Sequence, residues 1–265
     1  MDLNHIYSGD LAVRAVSQDS LSTRLQLNAK YQSRDFQEWL MTRLAVGPGE
    51  HVLDVGCGNG AQSIPFLNAV GPTGSVSSCD VSADSIEVLL GRTEGDPRLQ
   101  AVTADMADLS SLISQKFRQK SFTLAHSSYA LYYSPKRDSV LRTMAESMHS
   151  AGRVAVFTPM RPHGMVELAA QFSDIPDAVY DSLTFPDHLE ESFRELFWDI
   201  RIDLFQSEMR VTSVDDFIDF YKATTYYSES AEDSLRTYAI RSLEKTGAVT
   251  YVKNGFLIQG RSLRL

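Results

Sequence analysis

The stretch Gly49–Ser63, "GEHVLDVGCGNGAQS", decides how the chain is read. Its apolar run Val52, Leu53 and Val55 has the length of a short buried strand, interrupted only by Asp54. Gly56, Gly58 and Gly60 then fall within five residues. Glycine loses more conformational freedom on ordering than any other residue, so such a cluster marks backbone that turns tightly or approaches another body closely. A helical pattern starts near Ala61 and Gln62. Strand, glycine turn and helix together make a ligand-binding corner.

Outward from this corner, apolar segments alternate with helical ones. The expected strands are "HVLDVG", "GSVSSCDV", "LQAVTAD", "FTLAHSS" and "RVAVFTP". Between them lie "AQSIPFLNAV", "DSIEVLLGRT", the weaker "MADLSSLISQKF" and "KRDSVLRTMAESMHS". Such alternation predicts an α/β, doubly wound, mostly parallel sheet with helices on both faces. Upstream, Leu21, Leu25, Phe36, Trp39, Leu40 and Leu44 recur at helical spacings until Gly47-Pro48-Gly49 stops the pattern. Downstream, "WDIRIDLFQSEMRV" and "VTYVKNGFLIQGRS" read as two late strands, which makes a seven-stranded Rossmann-like sheet. The aromatic-rich helical piece between them, Ser213 to Lys245, reads as a cap insertion. The expected organisation is an N-terminal helical segment over the active site (1–46), a ligand-binding core (47–160), and helical cap insertions with the last two strands (161–265).

The 265 residues are 43% hydrophobic and 22% charged, enough for one sizeable domain with a lid and no need of disulfides. The net charge of -9 repels phosphate backbones, so no nucleic acid partner is expected. Cys57 and Cys79 are the only cysteines, and their spacing forms neither a disulfide framework nor a zinc motif. They read as buried thiols, and no metal is expected. No stretch has the ~18 apolar residues of a membrane span, and "MDLNHIYSGDLAVRAV" lacks the features of a signal peptide. The reading is of a cytoplasmic protein with no membrane partner.

Gly56 to Ala61 formally satisfies the dinucleotide fingerprint G-x-G-x-x-G/A. Asp54, two residues ahead of the first glycine, would repel a pyrophosphate and suits a ligand bearing an ammonium group. Asp80 follows Gly60 by 20 residues, at the end of the second strand, where a carboxylate accepts from adjacent ribose hydroxyls. Asp105 ends the third strand and can accept from an exocyclic amine, with Met106 and Val81 placed to sandwich a purine. Each aspartate alone also suits a turn or a helix cap. Three at successive strand ends behind a glycine turn point to an adenosine-containing ligand.

"VLDVGCGNG", "VSSCDVS" and "AVTADM" resemble the successive cofactor motifs of class I S-adenosylmethionine-dependent methyltransferases, from about Leu44 to Pro159. The resemblance implies S-adenosyl-L-methionine as cofactor and S-adenosyl-L-homocysteine as product. It implies that Gly56, Cys57 and Gly58 meet the methionine and ribose part, Asp80 the ribose, and Asp105 with Met106 the adenine. "YQSRDFQEWL" is similar to the preceding helix of small-molecule members, which implies Arg34 and Tyr31 at the cofactor carboxylate. Ser127 joins the cofactor set, with Ser128, Tyr129, Tyr132 and Tyr133 beside it for the acceptor. The chain departs from the family's pattern at Phe122-Thr123, and "AHSSYALYYSP" replaces the asparagine-proline-proline-aromatic signature of nucleobase and glutamine branches. A small-molecule acceptor, methylated on O, N or C in a biosynthetic role, is implied. The first choice of catalytic base is His163, on the rim after the fifth strand, with His126 and His5 behind it. Phe217, Phe220, Tyr221 and Tyr227 share one helical face and read as core or as an aromatic acceptor pocket. A monomer or homodimer is expected. Two other readings stay open: an NAD(P)-dependent oxidoreductase, whose Tyr132-x-x-x-Lys136 pair is compromised by Pro135, and a non-catalytic module that binds the cofactor.

Overall fold

A computed structural model describes residues 14, 15 and 17–264. The five expected strands form as β1 (His51–Val55), β2 (Ser75–Asp80), β3 (Leu99–Thr103), β4 (Phe122–Ser128) and β5 (Met148–Pro159). With β6 (Phe197–Val211) and β7 (Val249–Leu263) they make one seven-stranded sheet in the order β3-β2-β1-β4-β5-β7-β6. The first five strands pair in parallel, and β7 runs antiparallel to β5 and β6. The chain leaves β1 toward β2 and β3, then returns to place β4 on β1's other side. The switch in strand order therefore falls between β1 and β4, where ligands of open α/β sheets bind.

Helices cover both faces. Upstream of the sheet lie α1 (Gln18–Tyr31) and α2 (Phe36–Leu44); α3 (Ser63–Ala69), α4 (Ala83–Arg92) and α5 (Arg137–Glu146) connect the strands. Ser17, Asp35 and Ser82 cap α1, α2 and α4 by accepting a backbone N–H three residues on. The weak segment after β3 forms three short helical turns, Met106–Asp108, Leu109–Ser111 and Leu112–Lys116, in place of one helix. Beyond β5 come α6 (Gly164–Ala169) and α7 (Asp177–Leu196); α8 (Val214–Lys222) and α9 (Glu229–Thr246) sit between the last two strands.

Three apolar clusters follow from this layering. One packs α2, α3 and α4 on one face of the sheet through Trp39, Leu40, Phe66 and Leu89. A second packs α5 and the end of α7 on the other face through Val140, Met144, Leu189 and Phe193. A third belongs to the cap and holds Met165, Val179, Phe217, Tyr221 and Leu235 together. The aromatic residues of α8 are therefore mostly the cap's own core, with Phe217 and Tyr221 fully buried in it, while Tyr227, expected on the same helical face, lies beyond the end of α8.

Gly60 has φ 84°, and a Cβ there would meet Leu89 Cδ1 at 2.3 Å. The third glycine thus lets α4 pack against the turn. Gly60→Ala combines left-handed strain with overpacking, and unfolding in urea should show a loss of about 3 kcal/mol.

Candidate active site

Both faces of β1 are covered, so its side chains are buried on both sides of the strand. The turn that follows it is lashed to the end of β2. The N–H groups of Gly56 and Cys57 both donate to the Cys79 carbonyl, at 2.8 and 3.1 Å. The N–H of Gly58 donates to Asp80 Oδ2 at 2.8 Å, and that of Ser82 to Oδ1 at 2.9 Å. Gly56 has φ 73°, with Ala130 so close that a Cβ would lie 2.2 Å from its side chain. The turn and the end of β2 form one floor.

Above this floor opens a cavity of about 800 Å³, roofed by α1 and running along the carboxyl rim of the sheet. Gly56, Cys57, Gly58, Asp80, Val81, Met106 and His163 all line it. Ser128, Tyr129, Tyr132 and Tyr133 also reach it, from the end of β4. Burial raises the Asp80 carboxyl above the ordinary carboxylate range, against the hydrogen bonds from Ser82 and Gly58. Burial likewise pushes the Cys79 thiol up to about 12 and that of Cys57 well above its usual value, so both are protonated, unpaired thiols.

Five of the expected site residues lie off the cavity wall. Asp54, expected at a ligand ammonium, turns inward: Ser63 Oγ donates to its Oδ2 at 2.5 Å, and its Oδ1 is 2.9 Å from His126 Nδ1. The register explains this, because Asp54 and His126 are direct partners across β1 and β4. Two residues on along β4, on the same face, Ser128 Oγ lies 3.0 Å from His126 Nε2. Asp54, His126 and Ser128 thus form a buried chain of hydrogen bonds whose outer end is on the cavity wall. Ser127, which faces the opposite side of β4, is fully buried with its hydroxyl unpartnered. Asp105 caps the turn after β3 by accepting from the Ala107 N–H at 2.9 Å. Arg34 stacks over Trp39 and Phe205, since aromatic faces attract a guanidinium. The Tyr31 hydroxyl donates to Asp216. His5 lies outside the described residues.

The structure adds residues that sequence reasoning missed. Gln37 Nε2 and Asn59 Oδ1 are buried on the cavity wall beside the glycine turn, and neither has a hydrogen-bond partner among the described residues. Orphaned polar atoms on a cavity wall fit a ligand that brings its own polar groups. Asn59 stands inside the glycine motif and could have been singled out there; Gln37 had no signal beyond its helical position. Arg24 and Lys253 also line the cavity, from α1 and β7. Burial, and then the nearby Lys253 ammonium, bring His163 down to about 3, so its imidazole is neutral in the physiological range. A nitrogen with so low an affinity for protons is a weak general base. Tyr132 and Lys136 do not share a helix: Tyr132 is in the turn Leu131–Tyr133, and Lys136 is the residue before α5.

The sequence profile of the methyltransferase-domain family matches residues 47–206, and the chain belongs to that family. The methyltransferase GfsG of Streptomyces halstedii is 33% identical over 119 residues, covering 45% of this chain and 41% of its own. The aklanonic acid methyltransferase DauC of Streptomyces sp. (strain C5) is 29% identical over 152 residues, 55% of this chain and 63% of its own. The chain thus spans about half the length of the curated relatives it matches. Among solved structures, a candidate methyltransferase (BH2331) from Bacillus halodurans C-125 superposes with a TM-score of 0.56 at 16% identity, covering 85% of this chain and 98% of that one. That likeness shows the shared fold. No helix among the described residues is long and apolar enough to cross a membrane, and no three potential metal ligands cluster among them.

Asp80 offers a direct test. Its raised carboxyl pKa contributes stability below the ordinary value near 3.8, which is lost as pH rises through the folded value. At neutral pH the buried charge is therefore a cost, which offsets the two backbone hydrogen bonds that Asp80→Ala removes. The melting temperature should change little at pH 7, while calorimetry should show affinity for S-adenosylhomocysteine falling at least ~10-fold, about 1.4 kcal/mol.

Proposed function

We propose that the chain transfers a methyl group from S-adenosyl-L-methionine to an O, N or C nucleophile of a small-molecule acceptor. One observation carries this reading: a single cavity joins the buried carboxylate of Asp80, beside the glycine turn, to an apolar lobe walled by Val166, Val179, Leu183, Met209 and Phe220. In this reading Asp80 holds the ribose, Val81 and Met106 flank the adenine, and Gln37 and Asn59 meet the methionine end. The naming of both curated relatives as methyltransferases supports it. That one of them acts on aklanonic acid makes an organic metabolite the acceptor class to try first.

The cofactor, when bound, supplies a methyl group already activated on a sulfonium. The chain's own tasks are then alignment and exclusion of water, and positioning of this kind contributes ~7–11 kcal/mol. We assign the cover over the reacting groups to α1 and to the cap helices α6 to α9. Where the acceptor loses a proton, the geometry favours the Ser128–His126–Asp54 chain over His163. Ser128 Oγ on the wall can accept that proton while passing its own to His126 Nε2, and Asp54 stabilises the resulting imidazolium from the other side.

Two measurements test this. In a thermal-shift experiment, S-adenosylhomocysteine at 100 times its dissociation constant should stabilise the fold by ~2.7 kcal/mol; stabilisation by NADH alone would replace this reading with the oxidoreductase one. With an acceptor found by screening, Ser128→Ala should lower kcat ~10²-fold with cofactor affinity unchanged. An unaltered kcat would make the hydrogen-bond chain purely structural.

A further inference from the structure

Lys253 and Arg24 both line the cavity, and the Arg24 charge acts on the Lys253 ammonium. Along the sheet, Asp80 at the end of β2 and Lys253 on β7 are separated by four strand-to-strand steps, through β1, β4 and β5. At ~4.8 Å per step, roughly 19 Å of rim lies between them. Lys253 sits at the level of the carboxyl end of β5, next to Asn254, whose carbonyl accepts from the Met160 N–H. In the reading proposed above, on which this inference rests, the cofactor occupies the β3-β2-β1-β4 stretch, and the lobe at β5 and β7 is left to the acceptor.

Among the described residues the two cations have no counter-charge. Lys253 Nζ donates to Asn28 Oδ1 at 2.9 Å, and Arg24 donates to the Ala223 carbonyl, at the end of α8, at 2.6 Å. Among the described residues, no carboxylate lies within ion-pair distance of either one. The chain as a whole carries a net charge of -9, so carboxylates are not scarce. His163, neutral, and the protonated phenol of Tyr226 also line the cavity, as do Tyr132 and Tyr133, and the protonated phenol of Tyr251 lies two residues along β7 from Lys253. A part-buried cation without a counter-charge carries a desolvation cost, and a second cation acting on it adds to that cost. An anion entering the lobe would remove that cost.

We infer that Lys253 and Arg24 form an anion-binding subsite in the acceptor lobe, and that the acceptor carries an anionic oxygen, such as a carboxylate, on an apolar body. Val166, Val179, Leu183 and Phe220 on the surrounding wall fit that body. Burial, and then Arg24, bring the Lys253 ammonium down to about 8. The subsite is therefore charged at neutral pH and loses half of its charge as pH rises through that value.

The probes are 2-naphthoate and its neutral isostere 2-naphthamide, titrated calorimetrically into the full chain, alone and saturated with S-adenosylhomocysteine. At pH 7 naphthoate should bind at least 10-fold tighter than naphthamide. The preference should fall below 3-fold in Lys253→Met, narrow in Arg24→Gln, and shrink in the wild type between pH 7 and pH 9. Lys253→Met should also melt at a higher temperature than the wild type at pH 7, because it removes the desolvation and the repulsion by Arg24 that hold the Lys253 ammonium down. Equal affinities for the two probes, no binding of naphthoate, or a preference that survives both substitutions would overturn the subsite. A 10-fold loss of S-adenosylhomocysteine affinity in Lys253→Met would overturn it too, by assigning the cations to the cofactor's carboxylate. Should S-adenosylhomocysteine fail to bind the wild type, the methyl-transfer reading fails, while the titrations on the chain alone still decide whether the anion site exists.

Discussion

The shape of the site depends on the hydrogen bonds that tie the glycine turn after β1 to the end of β2. Two N–H groups share the Cys79 carbonyl, and Gly58 reaches the Asp80 carboxylate. These contacts require backbone conformations with positive φ, and at Gly56 a space too small for any side chain. They fix the cavity floor and orient its buried carboxylate at the same time. Asp80 is thus both a brace and a ligand group. Its oxygens each accept one backbone N–H and keep lone pairs for the cavity, which is how a carboxylate can be both held rigid and available.

Much of the sheet was legible in the sequence because its signals are local. Apolar runs bounded by glycine and helical spacing identified every strand from β1 to β7, and the segment rich in serine after β3 was weak in sequence and irregular in structure. The turn residues Gly56, Cys57 and Gly58, together with Asp80, Val81 and Met106, reached the cavity because position at a strand end is itself a local property. Asp54 shows where this stops. A carboxylate in a strand covered on both faces can serve a ligand or an internal network, and the choice depends on what stands across the sheet. His126 is 72 residues away and becomes its partner only through the β1–β4 register. Arg34 and Tyr31 lie off the cavity wall for the same reason: Phe205 and Asp216, which hold them, come from β6 and α8, far along the chain.

The cap was harder to read. Its aromatic stripe has the same pattern whether it lines a pocket or fills a core, and only the presence of α9 and α6 on its other side decides between them. Phe217 and Tyr221 are consumed by that packing, and Phe220 alone of the stripe reaches the cavity. The groups that give the lobe its polar character come from elsewhere. Lys253 lies in a strand and Arg24 in an N-terminal helix, and neither sits in a motif. Their significance appears only when the fold brings 229 residues of separation down to a shared wall.

This arrangement sets two electrostatic effects against each other. At long range the acidic surface repels an anionic acceptor, but in physiological salt that repulsion decays over ~8 Å of solvent. Inside the lobe the cations are part-buried and less screened, and short-range attraction is stronger there than in open solvent. An anion would therefore gain little from steering and much from arrival, so selectivity would reside in how long it stays. An apolar lobe in which, among the described residues, two cations have no counter-charge rejects neutral molecules by leaving those charges unpaired. It also rejects hydrophilic anions, because they have nothing to offer Val166, Leu183 and Phe220. Only a molecule with both features satisfies the whole wall, which makes the charge pair and the apolar lining parts of one selection.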